Sequence, residues 1–559
     1  MTAQSHDVRV SWAMRAAALV PAIFVAVLFV WPVAALVKRS LEPGTPGVRG
    51  GASVGELLRR TDAWQLLGVT VAQAAASAAL TVVVAAPIVW LVATVDLPGT
   101  GVLRVLVTLP FVLPTVVVGV AFHALLTGPL AGLGIDDGWP AILLAHVFLN
   151  VAVVVRVVSA AWERVDPRTL EAARSLGAGR FRAFRDVVLP RILPATAAAA
   201  ALVFMFCSTS FGVVLILGAS RARTLETEIY YQGFGSFRIP EVVVLSALQI
   251  VVVVCALVLA RAVSRGAGVS GAGSTPLRAD GAHRRRPAGR IRIVVAVVIA
   301  WTVLWLLVPL LSLGVRSVRP DGGGWTTAGY RSLATPSGGM SALDSLVYSV
   351  TSALAAMVVA LVIGLLLALS VTRGGGRTAR VAAVFAALPL GVSAVTLGFG
   401  YLLVVSALPA EVTGSPLVIP AVQALIAIPV VAGVMIPALG QVPPRLRDAA
   451  AALGAGPLRV IVSVDLRMTA RTLCAAAGFA FVMAIGEFGA TTFLARPDTT
   501  TLPVLIGTLM GRPGTDELAT AMAASTVLVL VGAVVIAVIE LIAVTGTRPR
   551  SSTRQAPAC

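Results

Sequence analysis

The residues that could do chemistry are few, and most of them recur in pairs. Glu171-Ala172-Ala173, followed by Gly177 and Leu189-Pro190, is matched by Asp448-Ala449-Ala450, Gly454 and Leu466-Arg467. Each member of the second set stands 277 residues beyond its partner. Pro167 and Pro444 can each open a short helix, and the glycine can end it. Alanines beside the acid leave a smooth surface that a partner can approach closely. The chemistry on offer is therefore docking of a helix into a groove, not catalysis. An interfacial helix that only anchors a loop is the bland alternative, and two copies in register argue against it.

A second set lies inside apolar sequence. Glu487-Phe488-Gly489 stands 277 residues beyond Ser210-Phe211-Gly212. A charged, unpaired carboxylate at the centre of a bilayer costs about 2.5–3.5 kcal/mol. Glu487 is therefore expected to face a helix-bundle interior or a solute path, the alternative being a protonated acid bonded to a neighbouring helix. These six residues are the candidate translocation path. His146 and Asn150 are four apart and share a helical face, which suits bonding between helices. His123 and Gln249 read as packing residues. No triad or metal-ligand set is expected, and Cys207, Cys255, Cys474 and Cys559 form neither a disulfide framework nor a metal spacing. A nucleotide-binding P-loop needs a lysine followed by Ser or Thr. The only lysine is Lys38, and Arg39 follows it. The chain is thus expected to bind no cofactor and to be no enzyme.

The elements that must position these residues are membrane helices. The chain has 559 residues, 58% hydrophobic and 12% charged, where soluble proteins have about 25% charged. Apolar runs long enough to cross a core of about 30 Å recur along it. Twelve are expected, near 16–37, 65–93, 103–127, 139–160, 195–218 and 240–262, then 291–315, 345–371, 380–408, 416–439, 471–495 and 521–545. The first is expected to be a retained anchor. The net charge of +18 does not point to nucleic acid, because the arginines are sorted by side. Loop 161–194 carries seven, from Arg164 to Arg191, and the stretch 263–290 adds Arg284-Arg285-Arg286. The opposite loop 219–239 has only Arg221, Arg223 and Arg238. Loop 38–64 breaks the bias with Lys38, Arg39, Arg49, Arg59 and Arg60. With both termini cytoplasmic, both docking loops are cytoplasmic too.

Four units are expected: a first six-span repeat at 1–262, a Gly- and Arg-rich cytoplasmic linker at 263–290, a second six-span repeat at 291–545, and a cytoplasmic tail at 546–559. Six spans return the chain to its starting side, so the repeats are parallel. Farther upstream the offset is 279, as in Leu109-Pro110 against Leu388-Pro389 and Gly119 against Gly398. Two residues must be absorbed between the third and fifth spans.

The loop pattern resembles the Glu-Ala-Ala loop of ABC-importer permeases. The first copy matches at Glu171, Ala172, Ala173, Gly177, Leu189 and Pro190; the second departs at Asp448 and Arg467, which puts the exit of that loop in doubt. The resemblance implies an all-α polytopic protein of the bacterial inner membrane, made of two fused six-helix permease repeats. It also implies two copies of a separate ATPase that hydrolyses the ATP, and an extracytoplasmic solute-binding protein. The stretches AHVFLNVAVVVRVV (145–158), FMFCSTSFGVVLILG (204–218), TLETEIYYQ (224–232) and AIGEFGATTFLARPDTTTLP (484–503) are similar to the thiamine and ferric-iron permease group. That likeness implies thiamine as solute, with ferric iron as the alternative. A secondary transporter, the rival of another class, would need coupling-ion residues near the midplane and would have no use for two docking loops.

Overall fold

A computed structural model describes residues 18–41, 53–96, 100–218, 222–266, 286–320, 323–336 and 339–545. Most of the expected linker, the tail from 546 and the residues before Ala18 lie outside these.

The described chain is helical throughout. The first half contains α1 (Ala18–Lys38), α2 (Val54–Arg60), α3 (Ala63–Thr94), α4 (Thr100–Val112), α5 (Thr115–Leu126), α6 (Trp139–Trp162), α7 (Pro167–Ser175), α8 (Arg180–Ser208), α9 (Gly212–Leu217), α10 (Leu225–Tyr230) and α11 (Ile239–Gly266). The second contains α12 (Arg290–Val318), α13 (Ala342–Arg373), α14 (Gly376–Ala387), α15 (Ala394–Ser406), α16 (Val418–Gly440), α17 (Pro444–Ala452), α18 (Pro457–Ile485), α19 (Thr491–Leu494), α20 (Leu502–Met510) and α21 (Thr515–Thr545).

Ten helices among the described residues are long and apolar enough to cross a membrane, or twelve if each bent pair is one span. The bent pairs are the expected third and ninth spans, which are not straight. The chain turns by 112° between α4 and α5 and by 94° between the helical segment 376–391 and α15. Pro114 stands at the first break with an extended ψ of 136°. Ser393 stands at the second, extended, with its hydroxyl accepting from Thr396 N at 3.1 Å. The expected fifth span, 195–218, also differs. Its helix starts within the loop at Arg180, passes through a wide π turn at Phe184–Val188, and stops at Ser208. The Ser208 and Thr209 hydroxyls both turn back onto Met205 O there, at 2.9 and 3.1 Å. The eleventh span repeats this, from Pro457 through a π turn at Ile461–Leu466 to Ile485. Arg467 therefore keeps the exit that Pro190 makes in the first copy.

The repeat is visible in packing as well as in sequence. Leu225 N donates to Thr70 Oγ1 at 3.0 Å, and Leu502 N donates to Ser349 Oγ at 2.7 Å. A Cβ on Gly212 would lie 2.9 Å from Val116 N, and one on Gly489 would lie 3.4 Å from Val395 N. In both halves, then, a glycine lets the chain beyond α8 or α18 lie on the start of α5 or α15, the second helix of the bent pair. The offset is 279 at the start of α6 and α16 but 277 at α7 and α17, so the two missing residues fall in or beside α16.

The halves exchange their first helices. α1 packs on α15 of the second half, where the Tyr401 hydroxyl donates to Leu28 O. In the same way α12 packs on α5 of the first half. Across the seam α10 lies against α15 and α20 against α5. The apolar core runs through both halves without a break: Val116, Phe211, Phe399, Phe488 and Leu505 belong to one buried cluster.

Candidate functional site: two elbows and a buried seam

Each docking loop is an elbow. Asp166 caps α7, accepting from Arg168 N at 2.9 Å, and Pro167 occupies the first turn, where its missing N–H costs nothing. Gly177 and Gly454 follow α7 and α17 with φ of +85° and +83°, a left-handed conformation that a side chain would strain. Glu171 and Ala172 are exposed, as are Asp448 and Ala449, while Ala173 and Ala450 are partly covered. Sequence reasoning missed the apolar residues. Leu176 and Leu453 are each 89% exposed, and Phe181 and Leu458 are 77% and 78% exposed. Both pairs are 277 residues apart, so each elbow carries the same two bare apolar side chains flanking its glycine turn. That signal was available in the repeat register.

Beneath the turn the elbows differ. In the second, the carboxylate of fully buried Asp465 sits between two guanidinium groups. Arg447 Nε donates to its Oδ1 at 2.8 Å, and Arg373 meets its Oδ2. Arg447 also donates to Leu439 O at 2.8 Å, tying α17 to the end of α16. Burial lowers the Arg447 pKa from the ordinary arginine value, and Asp448 opposes the shift. The corresponding residues of the first half are Thr94, Leu170 and Val188, which cannot form this network. They line a cavity of about 810 Å³ with Arg174, Arg180 and Arg286 among the other lining residues.

The other candidate residues meet at the seam. Phe211 and Phe488 stack, with ring centroids 5.1 Å apart and planes at 16°. Tyr230 lies 5.2 Å from Phe211 and 5.9 Å from Phe493, and Phe399 lies 6.0 Å from Phe493. Rings from both halves thus close one apolar plug. Ser210 is buried beside it, and its hydroxyl has no hydrogen-bond partner. Glu487 is buried too, but its oxygens accept from Ala490 N at 2.8 Å and Thr491 N at 2.9 Å. The acid is buried, and its partners are the N–H groups at the start of α19 and not a neighbouring helix. His146 Nδ1 is 3.1 Å from Ser77 Oγ on α3, a contact between helices as expected, while Asn150 donates to His146 O at 2.9 Å. Gln249 donates to Ser208 O at 2.9 Å.

One acid at the seam escaped the sequence reading. Glu226, on α10 between α8 and α11, is wholly buried, and neither of its oxygens has a partner of hydrogen-bond geometry. Burial pushes its carboxyl up to about 8, against the pull of Ser393 and Gln249 beside it. Glu228, two residues on, is by contrast paired with Arg223 and accepts from Gln232 Nε2 at 2.7 Å.

Duplicated elbows, exchanged first helices and a seam closed by rings from both halves are the architecture of a two-repeat membrane permease. The chain belongs among the permeases of ABC importers: residues 97–268 match the family described as the binding-protein-dependent transport system inner membrane component. It is 28% identical to the thiamine transport system permease protein of Brucella abortus, over 85% of this chain and 87% of that one. It is 30% identical to the thiamine transport system permease protein of Escherichia coli, over 66% of each chain. A shorter match, 34% identical over 24% of this chain and 51% of the other, is to the sulfate transport system permease protein of Salmonella typhimurium. The protein is a multi-pass inner-membrane transport component that works with an ATPase and a solute-binding protein.

Proposed function

We propose that this chain forms the pore of a thiamine importer, with the elbows α7 and α17 on the cytoplasmic side, each seated in one copy of the ATPase. What carries this reading is the pairing at the elbows: Leu176 with Phe181 and Leu453 with Leu458 stand bare in identical registers. Two equal contacts suit two equal subunits. Exposed apolar anchors flanked by arginines are what a helix-in-groove interface buries. ATP is bound and hydrolysed by the partner, since this chain has no lysine with which to build a P-loop.

In this reading Ser210, Phe211, Gly212, Glu487, Phe488 and Gly489 line the path, and the stacked rings are its closed gate. About 30 Å of helix, the twenty residues from Leu189 to Ser208, separate the first elbow from the gate. The gate therefore lies toward the outer face. Closure of the ATPase pair draws the elbows together, rocks the halves and parts the rings. Thiamine as solute rests on relatives that match most of this chain, the thiamine permeases of Brucella abortus and Escherichia coli among them. Ferric iron is the alternative solute.

The test is uptake into vesicles that contain this chain, its ATPase and its binding protein, with labelled thiamine and ferric iron compared. ATP-dependent thiamine uptake that Gly177→Asp with Gly454→Asp abolishes supports both class and solute. Iron uptake with the same dependence replaces the solute, and uptake without the ATPase promotes the secondary-transporter reading.

A further inference from the structure

Four buried acids, Glu226, Glu228, Glu241 and Glu487, lie on or beside α10, α11 and α19, and two are accounted for. Glu487 is engaged by backbone N–H groups, and Glu228 by Arg223 and Gln232. Glu241 keeps one oxygen without a partner, and neither oxygen of Glu226 has a partner of hydrogen-bond geometry, although Ser393 and Gln249 lie beside it. Its surroundings hold further unused acceptors. Gln249 spends its amide N–H on Ser208 O, which leaves its Oε1 without a partner. From the other half, Ser393 donates to Thr396 Oγ1 at 3.0 Å, and Thr396 donates to Ser246 Oγ at 3.4 Å, so those hydroxyl protons are already committed. The corner between α10, α11 and α15 thus holds three unused acceptor oxygens, two on Glu226 and one on Gln249, against one uncommitted hydroxyl proton, that of Ser246. Buried acceptors without donors are costly, and a bound donor or positive charge removes that cost.

The corner is also lined on one side by rings. Tyr230 is four residues from Glu226 on the same helix and so shares its face. It joins the plug through Phe211 and Phe493. The repeat places Pro503 and Gly507 where the first half has Glu226 and Tyr230. The acid and the ring therefore exist on one side of the pseudo-axis only, and at Gly507 the Phe488 ring fills the space, 2.9 Å from where a Cβ would be. A gate needs two matching halves; a single carboxylate beside a single tyrosine is what recognition of an asymmetric solute needs.

We propose that the corner between α10, α11 and α15 is a solute subsite for a compact organic cation that carries a flat ring, with Glu226 opposing the charge and Tyr230 stacking on the ring. The proposal rests on the importer reading above and adds the residues that select the solute. A carboxylate and an aromatic face are the two groups that hold such a cation when water is excluded. No repeat pattern marks Glu226, because its counterpart is a proline.

The experiment uses the full importer in vesicles, with labelled thiamine as probe and with ATP hydrolysis stimulated by loaded binding protein as a second readout. Glu226→Gln keeps the shape and removes the charge. Thiamine uptake should fall about tenfold or more, while stimulated ATP hydrolysis stays within twofold of the wild type, about half a kcal/mol or less. Glu226→Asp should recover part of the uptake. Uptake unchanged in Glu226→Gln overturns the subsite. So does parallel loss of uptake and hydrolysis in an assembled complex, since that makes the acid part of the gate. Tyr230→Leu and Tyr230→Phe give an answer even where Glu226→Gln does not assemble: loss of uptake with Leu while stimulated ATP hydrolysis stays within twofold, and retention with Phe, supports the subsite, whereas equal behaviour of the two, or parallel loss of uptake and hydrolysis with Leu, overturns it. A wild type that takes up no thiamine defeats the solute reading itself, which is a different result.

Discussion

Phe211 and Phe488 are the same residue of two repeats, and they touch. They stand 277 positions apart, and their rings stack 5.1 Å from centroid to centroid. Residues so related can stack on one another only where they meet at the pseudo-axis, so this contact marks the centre of the molecule. A stacked pair contributes about 0.5–1.5 kcal/mol beyond the area it buries. Replacing either ring by alanine should loosen the closed seam, and the double change should cost less than the sum of the singles. The expected outcome is ATP hydrolysis that no longer requires loaded binding protein, together with thiamine leak from preloaded vesicles without ATP. Full dependence on the binding protein in both single variants would remove the gate from the account.

The elbow anchors give a second expectation. Leu176 and Leu453 touch little within the chain. Leu176→Asp or Leu453→Asp should therefore leave expression and thermal unfolding unchanged. Each is expected to weaken ATPase association by about 2 kcal/mol, roughly thirtyfold, the cost typical of a central interface anchor. Titration of detergent-solubilised permease with purified ATPase measures it. Phe181→Ala and Leu458→Ala should act in the same direction, more weakly.

The buried ion network in the second elbow predicts an asymmetry. Asp465 lies between Arg373 and Arg447, and the first half has Val188, Thr94 and Leu170 in those places. Removing one partner of a buried ion pair costs about 3–5 kcal/mol, because the other charge remains. Asp465→Ala should lower the unfolding temperature and expose the amides of α17 and α18 to hydrogen exchange. The first elbow should exchange as before. If both elbows loosen equally, the network is not what holds the second one in place.

How much of this was legible beforehand depended on whether a feature repeats. The elbows were: Pro167 with Gly177 and Pro444 with Gly454 state where a helix starts and stops, and the offset of 277 ties the copies together. The seam was legible as positions, since Ser210-Phe211-Gly212 and Glu487-Phe488-Gly489 align, but not as a stack, which depends on where two distant segments meet. Straight spans were expected at 103–127 and 380–408, and bends of 112° and 94° are found. Hydropathy counts apolar residues and carries no direction, so the breaks at Pro114 and Ser393 did not register. Glu226 and the Asp465 network were missed because each exists in one half only. A reading that leans on symmetry is blind to what breaks it.

The hydrogen bonds from Leu225 N to Thr70 Oγ1 and from Leu502 N to Ser349 Oγ support the last prediction. Each is made by the first N–H of a short helix, α10 or α20, which its own helix cannot satisfy. Each acceptor comes from the second long helix of its half, α3 or α13. Thr70 and Ser349 are fully buried, so no water stands ready to replace them. Thr70→Val and Ser349→Ala should each cost about 1–3 kcal/mol, the penalty for a buried donor left without a partner. The Thr70 change should also reach solute handling, because α10 carries Glu226 and Tyr230 whereas α20 carries Pro503 and Gly507 at those places. Thermal unfolding in detergent and thiamine uptake, measured side by side, separate the two effects: equal losses of stability are expected, with the larger loss of uptake in Thr70→Val. A larger loss of uptake in Ser349→Ala would place solute handling on the α20 side of the seam.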